Sequence, residues 1–159
     1  MKEKKTALPY ARSFLELIVY QKARGLQRTV FEISKTFPKE EAYSLTDQVR
    51  RASRSIGAQI TEAWAKREYE RHFVSKLTDA DAEQMETQHW IITTVDCAYI
   101  SRDEGLKLFD QCREIGRLIG SMKDHSADFC QTNTSTLRES PEQFFATPHS
   151  DPFASPTEY

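Results

Sequence analysis

The sequence has 159 residues, of which 38% are hydrophobic and 29% charged, and this size and balance fit one soluble domain with a tail. No run of about 18 apolar residues occurs and no apolar stretch follows the basic N-terminus, so we expect neither a transmembrane helix nor a secretory signal. The net charge of −2 divides into +3 for residues 1–123 and −5 for residues 124–159, and neither value is large enough to establish a nucleic-acid-binding protein.

Four segments carry apolar residues at the three- and four-residue spacing of a helix. The first helix is predicted over about 14–36, and Phe37-Pro38 ends it because a residue before proline is held out of the α region. The second is predicted over about 39–66, and the resemblance of Ser44 and Asp47 to a capping pair leaves a start nearer residue 44 as the alternative. The third and fourth are predicted over about 70–100 and 103–123. The predicted buried stripe of the third helix consists of Phe73, Leu77, Ala80, Gln84, Gln88, Ile91, Val95 and Tyr99.

Short connections between amphipathic helices favour antiparallel neighbours, so the predicted fold is an all-α, up-and-down four-helix bundle over residues 12–125. Residues 1–11 are predicted to be a flexible N-terminus. Residues 126–159 are acidic and rich in Ser, Thr and Pro, which favours a disordered tail. Phe144, Phe145 and Phe153 in this tail are either a docking motif or without a role. The odd number of cysteines, without close spacing, favours reduced thiols in a cytoplasmic protein.

Four stretches resemble a bacterial four-helix-bundle family first noticed as reading frames inside intervening sequences of large-subunit ribosomal RNA genes. They are LELIVYQKARGL, TFPKEEAYSLTDQVRRASRSIGAQITEAW, HFVSKLTDADAEQMETQHW and EIGRLIGSMKDHSADFC, and they span roughly residues 12–130. The sequence departs from the family at Gln59-Ile60-Thr61-Glu62-Ala63, where Asn-Ile-Ala-Glu-Gly is common, and at Ala80-Asp81, where Gly-Ser is common.

The resemblance implies a four-helix protomer that assembles into a ring of five. It also implies two kinds of partner, because related accessory proteins of diversity-generating retroelements bind nucleic acid and a reverse transcriptase. The family has no established enzymatic activity, and its frequent label as a ribosomal protein follows from gene location. The resemblance therefore suggests a binding protein and leaves its partner open.

One Glu-x-x-His motif, Glu86 with His89, raises the question of a di-iron site within the bundle. Such a site needs two of these motifs and two further inward glutamates. Only one motif is present, and both side chains are predicted to point away from the buried stripe. No Gly-x-Ser-x-Gly and no glycine-rich phosphate loop occurs either. We therefore expect no metal, no cofactor and no catalytic activity.

Four glutamines lie on or beside the predicted stripes of the second and third helices: Gln48, Gln59, Gln84 and Gln88. An unpaired buried amide costs about 1–3 kcal/mol. Such amides either satisfy one another and set the helix register, or line a wet seam or an interface. The sequence leaves both interpretations open.

Trp90 is predicted to lie opposite the buried stripe of the third helix, together with uncharged neighbours. A tryptophan left in water forgoes several kcal/mol, at about 25 cal/mol per Å² of buried apolar surface. We therefore expect a homo-oligomer, and a ring would use a second apolar patch. The predicted interface residues are Trp90, Thr93, Thr94 and Cys97 on one patch and Phe14, Leu17 and Ile18 on the other. The Phe14 group is equally consistent with the core at a helix end.

Seven basic and three acidic residues between positions 50 and 76 give a local charge of +4. The candidate nucleic-acid-binding residues are Arg50, Arg51, Arg54, Lys66, Arg67, Arg71 and Lys76. They form either a phosphate-binding surface or a face of solvated or intersubunit ion pairs, since Asp47 can pair with Arg51. We therefore expect a homo-oligomeric scaffold that touches RNA, DNA or a nucleic-acid enzyme such as a reverse transcriptase. The alternative is an adaptor that binds only protein, and neither function involves a membrane.

Overall fold

The computed structural model describes residues 11–130, and the predicted tail from residue 131 onward lies outside the described residues. The helices are α1 (Ile18–Ser34), α2 (Leu45–Ala65), α3 (Glu70–Asp96), α4 (Arg102–Asp124) and α5 (Ser126–Cys130). Each of the four long helices packs against the next along the chain, and α1 also packs against α4, which closes the bundle. No strand occurs within residues 11–130. The predicted all-α four-helix bundle is confirmed.

The core is built from one apolar face of each long helix. Ala23 and Leu26 of α1, Ile56 and Ile60 of α2, and Ile115 of α4 are almost wholly removed from solvent. Burial of these side chains supplies the main favourable term of folding, about 1.5–3 kcal/mol for each large aliphatic side chain. None of the helices within residues 11–130 is long and apolar enough to cross a membrane.

The first helix begins later than predicted, whereas the second begins at Leu45, in agreement with the alternative start near residue 44. Residues Phe14–Glu16 form a 3-10 turn, in which the Ser13 hydroxyl accepts a hydrogen bond from the Leu15 amide, and an extended Leu17 separates this turn from α1. A second 3-10 turn, Lys39–Glu41, precedes α2. The predicted capping pair of Ser44 and Asp47 does not form, because the Ser44 hydroxyl donates to the Glu41 carboxylate instead.

Glu41 joins the connection between α1 and α2 to the connection between α3 and α4. Its second carboxylate oxygen accepts a hydrogen bond of 3.0 Å from the Tyr99 hydroxyl, 58 positions along the chain. The pKa of the Glu41 carboxyl is lowered below its usual value. The hydrogen bond from Ser44 is the largest cause, and the hydrogen bond from Tyr99 is the second. This carboxylate ties both connections together at one end of the bundle.

Residues 126–130, which the sequence analysis assigned to the tail, belong to the bundle. They form α5 and pack against the start of α3: the ring of Phe129 stacks on that of Phe73 with centroids 5.6 Å apart. The Ser126 hydroxyl donates a 2.5 Å hydrogen bond to Glu70. The prediction was wrong at this boundary because five residues are too few to show a helical period.

Candidate nucleic-acid interface

The basic residues predicted to form one cluster lie at separate places on the bundle. Lys76 lies between α2 and α3, where its ammonium is 2.9 Å from Glu62 and 3.4 Å from Asp79. The hydrogen bond to Glu62 is the main reason why the pKa of Lys76 is raised. Lys76 is therefore an interhelical ion-pair residue, and its charge is already balanced.

Two arginines of the predicted cluster also have partners within the protomer. Arg51 pairs with Asp47 at 3.7 Å, as the four-residue spacing predicted. Arg67 donates a 2.7 Å hydrogen bond to the carbonyl of Trp64, and its guanidinium lies 4.1 Å from the indole centroid. Arg67 thus closes the C-terminal end of α2, where helix carbonyls lack partners. Lys66 and Arg71 at this turn are exposed and make no ion pair within residues 11–130.

Phe31 of α1 is the centre of a second basic surface, which sequence analysis did not identify. Three cations lie over its ring: Lys35 at 4.8 Å, Arg50 at 5.0 Å and Arg54 at 5.6 Å from the centroid. Arg50 also donates a 2.7 Å hydrogen bond to the Ser34 hydroxyl. Arg50 is consequently half-buried against α1, whereas Arg54 is exposed.

An open groove of about 420 Å³ lies beside this ring and is lined by residues of α1 and α2. Gln27, Arg28, Phe31, Glu32 and Arg54 line it. Glu32, the acid in this lining, is bonded to Lys35 at 2.8 Å, whereas Arg28 and Arg54 make no ion pair within the described part of the chain. We call this site the Phe31 groove. The sequence signal was available, because Arg24, Arg28, Phe31 and Lys35 recur at helical spacing along one face of α1.

Part of the predicted oligomer interface is buried within the protomer. Thr94 is buried in the bundle and donates a 2.7 Å hydrogen bond to the carbonyl of Trp90, and Leu17 belongs to the core. Placing these two residues on an outer surface was therefore wrong. Phe14 is half-buried against Tyr20, with ring centroids 4.9 Å apart, which agrees with the alternative of a helix-end core.

The other predicted interface residues retain accessible surface. Trp90 is half-buried and donates a 3.1 Å hydrogen bond from its indole nitrogen to Glu86. Thr93 is half-buried, Cys97 is exposed just beyond the end of α3, and Ile18 is half exposed. The patch that sequence analysis centred on Trp90 is thus smaller and more polar than expected.

A more apolar surface lies between α3 and α4. Met85 is 62% exposed but is not among the residues that line this surface, whereas Ile92 and Leu106, which are 49% and 50% exposed, both line it. The groove beside them has a volume of about 260 Å³ and is lined by Ile91, Ile92, Val95, Asp96, Arg102, Gly105, Leu106 and Phe109. We call this surface the α3–α4 groove. Sequence analysis did not identify this surface.

The two glutamines on the α3 stripe satisfy each other within α3. The side-chain amide of Gln88 donates to the side-chain carbonyl of Gln84 at 2.6 Å, and the Gln84 amide donates to Asp81 at 3.0 Å. Asp81 also pairs with Lys123 of α4 at 3.2 Å. The two amides therefore satisfy each other within α3, and the chain of bonds reaches α4 through the Asp81–Lys123 pair. Gln59 instead accepts a 3.2 Å hydrogen bond from Lys76.

Glu86 and His89 are both exposed, as their helical angles predicted. Within residues 11–130, no group of three His, Cys, Asp or Glu residues is placed to hold a metal ion. Burial raises the pKa of the Cys112 thiol to about 12, so this thiol stays protonated inside the core.

These features define an all-α four-helix-bundle protein with a basic groove on one face and an apolar groove on another. The chain belongs to the family of 23S rRNA-intervening sequence proteins, whose match covers residues 15–121. A solved structure from Bacteroides thetaiotaomicron, described as a protein with unknown function from the S23 ribosomal protein family, is 26% identical. The similarity covers 67% of this chain and 96% of that chain, with a TM-score of 0.62. No curated protein matches the chain.

Proposed function

We propose that this protein is a non-catalytic, self-associating bundle that binds nucleic-acid backbones weakly and without sequence preference. The observation that carries the proposal is that Arg28 of α1 and Arg54 of α2 both line the Phe31 groove without an ion-pair partner within residues 11–130. Phosphate contacts by Lys and Arg supply most nonspecific affinity, and unpaired cations are available to make them. The small net charge of the chain keeps this binding weak.

The basic surface differs from the one predicted. Arg51, Arg67 and Lys76 already have partners inside the protomer. Around Phe31, Arg28 of α1 lies with Arg50 and Arg54 of α2, and Lys35, which pairs with Glu32, follows the end of α1. The two exposed cations at the α2–α3 turn, Lys66 and Arg71, offer a further contact for a long polyanion.

Fluorescence anisotropy with a labelled 20-nucleotide RNA tests the nucleic-acid proposal. Replacing Arg28 and Arg54 together by Ala is expected to weaken binding several-fold. It is also expected to reduce the slope of the logarithm of the binding constant against the logarithm of the salt concentration by about one unit per lost phosphate contact. The control is Arg51→Ala, which removes an arginine already paired with Asp47 and is expected to change binding little. A chain ending at Cys130 is expected to bind more tightly than the full chain, because residues 131–159 carry a net charge of −3. If this shorter chain binds neither RNA nor DNA at low salt, the proposal is wrong.

The self-association proposal rests on the α3–α4 groove and on its accessible Ile92 and Leu106. Its lining carries Asp96 from α3 and Arg102 at the start of α4, so one surface offers charges of both signs. A second copy of the chain carries the same two charges and can pair with both of them, which favours a second copy as the molecule that covers this groove. Five subunits remain an expectation from the family resemblance alone.

Light scattering at micromolar concentration tests this assembly. The full chain is expected to show a mass several times its 18.4 kDa, and Leu106→Asp is expected to reduce it, since a charge in the groove opposes desolvation. Trp90→Asp is the matched comparison, because it tests the patch that the sequence favoured. A monomeric full chain rules out self-association, and an unchanged mass for Leu106→Asp places the interface elsewhere.

The second candidate function is a protein adaptor that makes no nucleic-acid contact. The α3–α4 groove favours it, because apolar surface exposed on a helical bundle also suits an amphipathic helix of another protein, such as a reverse transcriptase. A monomeric chain that binds no nucleic acid at low salt would make this the better interpretation.

A further inference from the structure

The Phe31 groove has the size of a small-molecule site. Its volume of about 420 Å³ lies within the range of about 300–1,000 Å³ that ligand pockets occupy. Arg28 and Phe31 line it from α1, and Arg54 lines it from α2. A groove of this size can hold one nucleotide and is too small to enclose a duplex.

Arg54 offers this groove a planar face as well as a charge. Its guanidinium lies over the Phe31 ring at 5.6 Å from the centroid, where cation–π attraction favours it. The side chain is exposed, so the guanidinium remains accessible from solvent. Nucleobases stack on guanidinium planes much as they stack on aromatic rings, whereas a lysine ammonium offers only a point charge.

The other groups in the groove complement the rest of a nucleotide. Arg28 makes no ion pair within residues 11–130 and can bind a phosphate. The Gln27 amide offers a donor and an acceptor for a base edge. The Glu32 carboxylate is bonded to Lys35, so its repulsion of a phosphate is reduced.

We infer that the Phe31 groove binds one unpaired nucleotide, so that the protein prefers single-stranded nucleic acid to duplex. The inference rests on the proposed nucleic-acid function and deepens it. In a duplex the base faces are stacked on one another and only base edges and phosphates are presented, whereas a single strand can place a base face on Arg54.

The test uses fluorescence anisotropy to compare the affinity of the full chain for a 20-nucleotide single strand with its affinity for a duplex of the same length, at the same salt concentration. The single strand is expected to bind about fivefold or more tightly, which is the lower range for stacking of one base. Arg54→Lys keeps the charge and removes the plane, so it is expected to lower single-strand affinity to the duplex level and leave duplex affinity unchanged. Arg51→Lys on the same helix is the control and is expected to alter neither affinity, with circular dichroism confirming that both variants fold.

Equal affinity of the unmodified chain for both nucleic acids overturns the inference and leaves the proposed function intact. The same holds if Arg54→Lys binds the single strand as tightly as the unmodified chain. Absence of binding to either nucleic acid at low salt overturns the inference and the proposed nucleic-acid function together.

Discussion

Replacing Phe73 by Ala is expected to lower the free energy of unfolding by about 3–5 kcal/mol, the range measured for buried aromatic side chains. Phe73 has no exposed surface, and its ring stacks on Phe129 of α5 at 5.6 Å. Its removal leaves a cavity between the start of α3 and α5 and deprives Phe129 of its partner. Chemical denaturation followed by circular dichroism measures the loss.

Tyr69 provides the matched control, because it is an aromatic residue four positions away and is 60% exposed. Tyr69→Ala is expected to change stability by no more than about 0.5 kcal/mol, as is usual for surface substitutions. If Phe73→Ala is no more destabilising than Tyr69→Ala, then α5 does not close this end of the core as described.

Two glycines of α4 are expected to respond to alanine in opposite directions. A Cβ on Gly116 would lie 2.9 Å from the Gln84 side-chain nitrogen, whereas a Cβ on Gly120 would meet no atom within 4 Å. Gly120→Ala is therefore expected to raise the free energy of unfolding by about 0.5–1 kcal/mol, the usual helix gain of Ala over Gly. Gly116→Ala is expected to lower it by about 1–2 kcal/mol, because the displaced Gln84 amide loses its bond to Asp81 in a buried site.

Thermal or urea denaturation of the two variants side by side measures this difference, and each serves as the control for the other. Equal stabilisation by both substitutions would mean that the Gln84 amide moves aside without losing its hydrogen bonds. In that case the Gln88–Gln84–Asp81 chain would contribute little to the packing of α3 on α4.

The bundle could be predicted because helical spacing of apolar residues is a strong signal over twenty residues or so. The predicted stripe of α3 agrees with the buried residues as far as Gln84. Beyond Gln84, the prediction assigned Gln88 and Val95 to the stripe, whereas Thr87 and Thr94 are the residues that are buried. Apolar character favoured Val95 over Thr94. Each threonine instead satisfies its hydroxyl at a carbonyl one turn earlier, Thr87 at 2.8 Å and Thr94 at 2.7 Å, so burial costs little.

The candidate site could be predicted only in part, because charge along the sequence does not show which cations remain unpaired. Lys76 pairs with Glu62, 14 positions away on the preceding helix, and this contact depends on how α2 packs against α3. Arg28 and Phe31 lie on α1, far along the chain from Arg54, and only the packing of α1 on α2 makes them one groove.

The position of α5 fixes where the chain leaves the described bundle. Cys130 lies close enough to Arg67 for the positive charge to oppose the rise that burial causes in the pKa of its thiol. The described chain ends in α5, which packs against the start of α3 beside the α2–α3 turn, whereas Arg54 lies 12 positions before Lys66, about 18 Å along α2. A tethered group acts at an effective concentration that dilution does not change. We therefore expect removal of residues 131–159 to strengthen phosphate binding at Lys66 and Arg71 more than at the Phe31 groove.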